Sequence, residues 1–180
     1  MGRVLFIAEC RRRIVARKGF DPWYRRFGMC FDENTSARSL DTAVIRRLAR
    51  GNEDSSSAFY ELIMGIKGLG HAARFHFLDA RTKMCVTDIT LFLLDLVRFE
   101  AMFRLGWLEN YRYLEVPLLD IIEDFPQKFS ESRHSSPVLC STHPLYKEYA
   151  AQFEFDRPAF VRRLIPEAIK VFCDPGDHIG

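Results

Sequence analysis

The chain has 180 residues, 48% apolar and 28% charged, with 16 Phe, 5 Cys and a formal net charge of +2. This is ordinary globular composition, fitting one domain able to bury about 70% of its unfolded surface around an aromatic core. The cysteines Cys10, Cys30, Cys85, Cys140 and Cys173 are odd in number and scattered. Without a Cys-x-x-Cys or a signal peptide they exclude a secreted disulfide scaffold and read as reduced thiols of a cytoplasmic protein.

Charge is unevenly spread. Residues 1–50 hold 12 Lys and Arg against 5 Asp and Glu, and residues 51–180 hold 14 against 19. The two parts can dock on one another, or the first can meet an acidic partner. In the basic N-terminal segment, about residues 1–35, the apolar run Val4 to Ala8 is either a strand or the first turn of a helix. That helix would continue through Arg11, Arg12, Arg13, Arg17 and Lys18 until Gly19 to Pro22 punctuate it. The run is too short for a signal peptide, and Phe6 in place of Ser or Thr argues against acylation at Gly2. Trp23 to Phe31 mixes aromatics with Arg25 and Arg26 and has no clear period. These seven basic residues, interleaved with Phe20, Trp23, Tyr24 and Phe27, have the composition of a nucleic-acid surface, with guanidinium groups on phosphates and rings on unpaired bases. They match no recognition motif. The competing reading is a solvated basic face whose aromatics belong to the core, and an acidic protein surface is the other partner that fits.

Ser36 or Ser39 caps a helix through Leu40, Val44, Ile45 and Leu48, ended by Gly51. Ser56 or Ser57 caps the next, which carries Phe59, Leu62, Ile63 and Ile66. The pair resembles a helix-turn-helix only in outline, since its joining loop is longer and more acidic than that motif prefers. Gly65-Ile-Lys-Gly-Leu-Gly70 has the look of a phosphate loop but lacks the closing Gly-Lys-Ser/Thr, and a helix end with a turn explains it more simply. Arg74 to Leu78 reads as a short extended segment.

The most informative stretch is Asp79 to Gly106, a long central helix over about 80–105. Asp79 is a good N-cap and Gly106 a good residue beyond the C-cap, giving roughly 26 residues and about 40 Å. Ile89, Phe92, Leu93, Leu96, Phe99 and Phe103 form one apolar stripe, with Cys85 on it, and Leu91, Leu94, Met102 and Leu105 form a second. Asp88, Asp95, Arg98, Glu100 and Arg104 would each cost about 2.5–3.5 kcal/mol near a bilayer centre, which excludes a membrane span. In water Glu100 with Arg104 and Asp95 with Arg98 are spaced as structural ion pairs. The alternative, carboxylates on a metal from Asp88, Asp95 and Glu100, lacks the Glu-x-x-His pairs of such bundles. Two apolar faces imply burial between two layers, or between the domain and a partner; a homo-oligomer through this helix is the expected use of a leftover face.

Beyond it, Tyr111 to Val116 is another extended piece, and Pro117 opens a helix through Leu118, Leu119, Ile122 and Phe125, closed by Pro126. A Ser-rich loop, about 130–143, has no period. Ser141 or Thr142 caps a helix with Leu145, Tyr149 and Phe153. Asp156 caps the last, from Phe160 to Phe172, in which Pro166 implies a kink or restart. A short C-terminal tail, about 173–180, follows. His134, Cys140 and His143, with Cys173 and His178, are zinc-capable residue types, and the Cys140-x-x-His143 spacing lets two side chains reach one ion. A structural site generally needs two such pairs, and a Cys140 nucleophile would need a third, orienting group that cannot be named. Incidental residues of a polar loop are the simpler reading.

The sum is a mainly α, single-domain bundle of six or seven helices around the long central helix, with at most a minor β element. It implies a non-catalytic cytoplasmic protein that binds another macromolecule or itself, requires no cofactor and spans no membrane. The alternatives are a nucleic-acid-binding protein using residues 11–27, or a zinc protein or hydrolase using the His/Cys loop.

Overall fold

The computed structural model describes residues 2–174, with side chains from residue 6 onward. Two long helices set the scale of the bundle. The first, α1, Gly2–Phe27, runs unbroken through Gly19 and Pro22, where the sequence had suggested punctuation. Its packing explains both residues. A Cβ on Gly65 of the facing helix would lie 2.9 Å from Gly19 Cα and 3.2 Å from the Lys18 carbonyl, so the backbones meet without side chains between them. That carbonyl is the one whose i+4 donor Pro22 removes.

Asp41 caps α2, Thr42–Ala49, by accepting the Ala43 N–H at 2.8 Å. Asn52 caps α3, Glu53–Lys67, by accepting the Ser55 N–H at 3.0 Å. Both caps differ from the serines expected, because an Asx side chain lies directly before each helix and competes for the same N–H groups. The serines at 55–57 therefore fall inside the first turns of α3. Its C-terminus closes at Gly68, at φ +68°, where Leu69 N–H returns to the Met64 carbonyl at 2.9 Å. The glycine-rich run is thus a helix contact and a left-handed cap, with no phosphate loop in it.

The central helix α4, Ala80–Arg104, is capped by Asp79 as expected, its carboxylate accepting the Thr82 N–H at 3.0 Å. It packs against α2, α3, the 3-10 turn Arg112–Leu114 and a C-terminal helix described below. Both apolar stripes are consequently covered by the chain's own elements over the second half of α4: Leu93, Leu96, Phe99 and Met102 are buried, and Leu94, Phe103 and Leu105 half-buried. Only the N-terminal half keeps apolar groups outside, at Met84 and Leu91, and Cys85, expected in the core, is exposed.

Of the two ion pairs expected along α4, one forms. Glu100 is fully buried (0% exposed) and its two oxygens each accept from a guanidinium Nε at 2.8 Å, from Arg104 one turn on and from Arg38 in the loop before α2. Arg104 also donates to the Leu40 carbonyl at 2.6 Å and to Thr42 Oγ1 at 3.0 Å, while Arg38 lies 3.8 Å over the Phe103 ring. Asp95 does not pair with Arg98. Asp95 meets Arg162 at 3.3 Å, whereas Arg98 reaches across to the Ala49 carbonyl at the end of α2, 3.0 Å away. An unsatisfied carbonyl at a helix C-terminus attracts a cation as strongly as an exposed carboxylate one turn away.

The remaining elements are short. They are α5, Leu118–Glu123; α6, Phe125–Ser132; α7, Tyr146–Ala150; α8, Arg157–Arg163; and α9, Ile165–Cys173, the helix that packs on α4. Pro166 acts as a restart, separating α8 from α9. The two segments expected to be extended are instead 3-10 turns, Ala72–Phe77 and Arg112–Leu114. Among the described residues β structure is confined to two isolated antiparallel bridges, Ser36 with Pro117 and Leu108 with Leu139, so the class is mainly α. Buried apolar side chains from all of the longer helices join in one cluster.

Candidate functional site

The surface that the fold leaves open lies on α1. Residues toward its C-terminus turn Ala16, Phe20 and Trp23 into the core against α3. At 100° per residue, Ile7 and Ile14 lie two turns apart on the opposite side, with Cys10 between them and Phe6 beside. Phe6, Ile7 and Ile14 are 68%, 67% and 58% exposed. Among the described residues nothing covers this stripe, while Ala16, Phe20 and Trp23 further along supply the burial that holds the helix to the core.

The charges around the stripe divide into two sets. Arg12 pairs with Asp120, Arg13 with Glu9 and Glu33, and Arg25 with Asp21. Arg26 donates to Glu61 at 2.7 Å and to Asp54 at 2.5 Å, which fastens the end of α1 to α3. Arg12, Arg13 and Arg26 thus tie α1 to other segments, whereas Arg25 pairs within its own helix surface. Arg11, Arg17 and Lys18 are exposed and make no ion pair among the described residues, and they fall beside the apolar stripe rather than toward the core. The outward face of α1 is therefore amphipathic in itself: an apolar centre flanked by three cations.

For a nucleic-acid surface the structure leaves less than the composition suggested. Trp23 is 0% exposed and its indole Nε1–H donates to the Ala58 carbonyl at 2.7 Å. Phe20 is buried too and Phe27 is half-buried, both in an aromatic cluster with Trp23 and Phe31. Of the rings that were to stack on bases, Tyr24 alone stands at the surface. Stacking requires a free ring face. Phe20, Trp23 and Phe27 stand at i, i+3 and i+7, the spacing of a core stripe, and Pro22 between them obscures that period in the sequence.

The His/Cys loop does not assemble. His134 is exposed just after α6, Cys140 donates its backbone N–H to the Trp107 carbonyl at 2.8 Å, and His143 packs its ring on Trp107, 4.8 Å between centroids. Burial raises the Cys140 thiol above its ordinary value, away from the thiolate that a nucleophile or a ligand needs. Burial also lowers His143, and its Nδ1 accepts the Leu145 N–H at 3.2 Å. The thiol of Cys173 lies against the Arg46 carbonyl, and His178 falls outside the described residues. Among the described residues no group of three His, Cys, Asp or Glu side chains is placed to hold a metal ion. The α4 carboxylates are likewise dispersed: Asp88 is exposed, and Asp95 and Glu100 are occupied by arginines. No described helix is long and apolar enough to cross a membrane. No family model, curated protein or solved structure matches the chain, and its function therefore rests on the geometry of its own residues.

Proposed function

We propose that the protein acts without catalysis, as a binding protein, and that the outward face of α1 receives an acidic amphipathic helix of a partner protein. The observation that carries this reading is the stripe Phe6, Ile7 and Ile14, exposed on the N-terminal half of a helix whose C-terminal half is anchored by the buried Ala16, Phe20 and Trp23, with the half-buried Cys10 between them and Arg11, Arg17 and Lys18 beside. Ile at i and i+7 with a small thiol at i+3 matches the anchor spacing of a helix laid along a helix, and cations at the rim select a partner with Glu or Asp beside its own apolar stripe. The +7 excess of residues 1–50 extends that selection over a longer range. Self-association through α4 retains less support, because Met84 and Leu91 are the only exposed large apolar groups on that helix.

The test uses a fluorescent three-heptad peptide with Leu and Ile at its seam and Glu on both flanks. Burying two Ile side chains contributes about 3–6 kcal/mol before ordering costs, so I7S/I14S should bind at least tenfold more weakly, at about 1.4 kcal/mol per decade. Affinity should also fall with salt. Binding that survives I7S/I14S refutes the reading, as does a stronger preference for single-stranded oligonucleotide or for anionic vesicles. A dimer in light scattering that I7S/I14S dissolves would replace the partner helix with a second copy of this chain.

A further inference from the structure

A second site lies where α4, the end of α6, the Ser-rich loop and α8 surround a cleft of about 340 Å³, lined by none of the residues of the α1 stripe. Its floor is apolar: Phe92, Leu96, Phe99 and Phe129. Phe92 and Phe129 meet edge to face, with centroids 6.1 Å apart. Its wall is polar. Tyr111 stays un-ionised, burial pushing its phenol up to about 12, and its hydroxyl donates to the Ser135 carbonyl at 3.3 Å, which holds the loop against the cleft.

Two guanidinium groups line the opening, and their partners differ. Arg162 is paired with Asp95 at 3.3 Å. Arg133 lies 5.5 Å from the Phe129 ring centroid and has no carboxylate partner among the described residues. Ser135 and Ser136 line the same cleft, and their side-chain hydroxyls make no hydrogen bond among the described residues. One uncompensated cation and two free hydroxyls above an aromatic floor form a constellation for one kind of ligand. Volume limits its size, since the cleft is near the lower end of the roughly 300–1,000 Å³ of small-molecule sites.

We infer that this cleft binds a small organic monoanion, an apolar body of aromatic size seated on Phe92, Leu96, Phe99 and Phe129 with its carboxylate held by Arg133. The carboxylate also competes with Asp95 for Arg162. That competition gives the proposal a signature a sticky apolar patch would lack. Asp95 is partly exposed and its only ion pair among the described residues is the one to Arg162, so D95N should fold normally and free the second guanidinium for the ligand.

The probe is 4-phenylbutyrate, with 4-phenylbutanamide as its uncharged twin, titrated calorimetrically and by ligand-observed NMR against the full chain. The acid should bind with a Kd of about 1 mM or tighter, corresponding to about −4 kcal/mol. The amide should bind about tenfold more weakly, the size expected of one charge-assisted contact. R133Q should weaken the acid about tenfold and leave the amide unchanged, D95N should tighten the acid several-fold, and I7S/I14S should leave both unchanged, which separates this site from the face of α1. Equal affinity for acid and amide overturns the inference. So does weaker binding of the acid by D95N, or no saturable binding of the acid at all.

Discussion

The buried carboxylate of Glu100 makes the sharpest prediction about stability. Read as an exposed i,i+4 pair with Arg104 it would contribute a few tenths of a kcal/mol. In the folded chain it is fully buried and accepts from two arginines, at 2.8 Å each, that in turn fix the loop between α1 and α2 onto α4. Replacing it by Gln removes the only negative charge that both guanidinium groups share and aims an amide N–H₂ at one of them. Breaking a buried pair by removing one partner costs about 3–5 kcal/mol. Arg38 and Arg104 retain side-chain exposures of 29% and 22%, so water recovers part of that, and about 3 kcal/mol is the expected loss for E100Q. For a chain of this length that lowers Tm by roughly 6–12 °C. The assay is urea denaturation at pH 7 with calorimetry beside it. R38M should cost about 1 kcal/mol, because Arg104 still neutralises Glu100. In the double variant E100Q/R38M the losses should be less than additive, because one unpaired cation has gone. A loss under about 1 kcal/mol for E100Q, or strict additivity, would refute the reasoning.

The close approach of α1 and α3 predicts that G65A destabilises despite alanine's better helix propensity of up to about 1 kcal/mol, by a net 1–3 kcal/mol. Its new Cβ would meet backbone, at 2.9 Å from Gly19 Cα, and backbone cannot swing aside; an unchanged or raised urea midpoint would contradict this. W23F should cost about 2 kcal/mol through the lost indole donation and the space left behind, and its acrylamide quenching should show that only Trp107 was accessible before. For His143, a folded pKa lowered by burial means that its stabilisation is whole above the unfolded value of 6.5 and is lost as pH falls below it. Protonation also cancels the acceptor at Nδ1 for the Leu145 N–H. Unfolding free energy should therefore drop more between about pH 7 and pH 5.5 in the wild type than in H143Q, and parallel drops would remove the claim.

What the sequence determined by itself was whatever depends on neighbours along the chain. The cap at Asp79, the span of α4, a break at Pro166 and the mainly α class follow from residues within a turn or two of one another, where backbone geometry and local hydrogen bonding decide. The candidate surface is half visible in the sequence: the basic cluster stands out, but Phe6 and Ile7 look like part of an ordinary apolar run from Val4 to Ala8, and Ile14 among the arginines carries no signal of its own. Nothing local distinguishes an apolar stripe that will be covered from one that will not.

Only the tertiary structure decided which stripe was which, and for one physical reason. Burial is a property of what another segment brings to a residue, and charge pairing inside a protein is a competition among all the partners that arrive. Arg38 comes from far along the chain to Glu100, converting a weak surface pair into a buried cluster. Arg162 takes Asp95 and thereby leaves Arg98 to the Ala49 carbonyl. Trp23, which the sequence offered to a nucleic-acid base, finds Ala58 instead. Each outcome depends on a contact between residues that the order of the chain keeps far apart, and on the desolvation that makes such a contact strong once it forms.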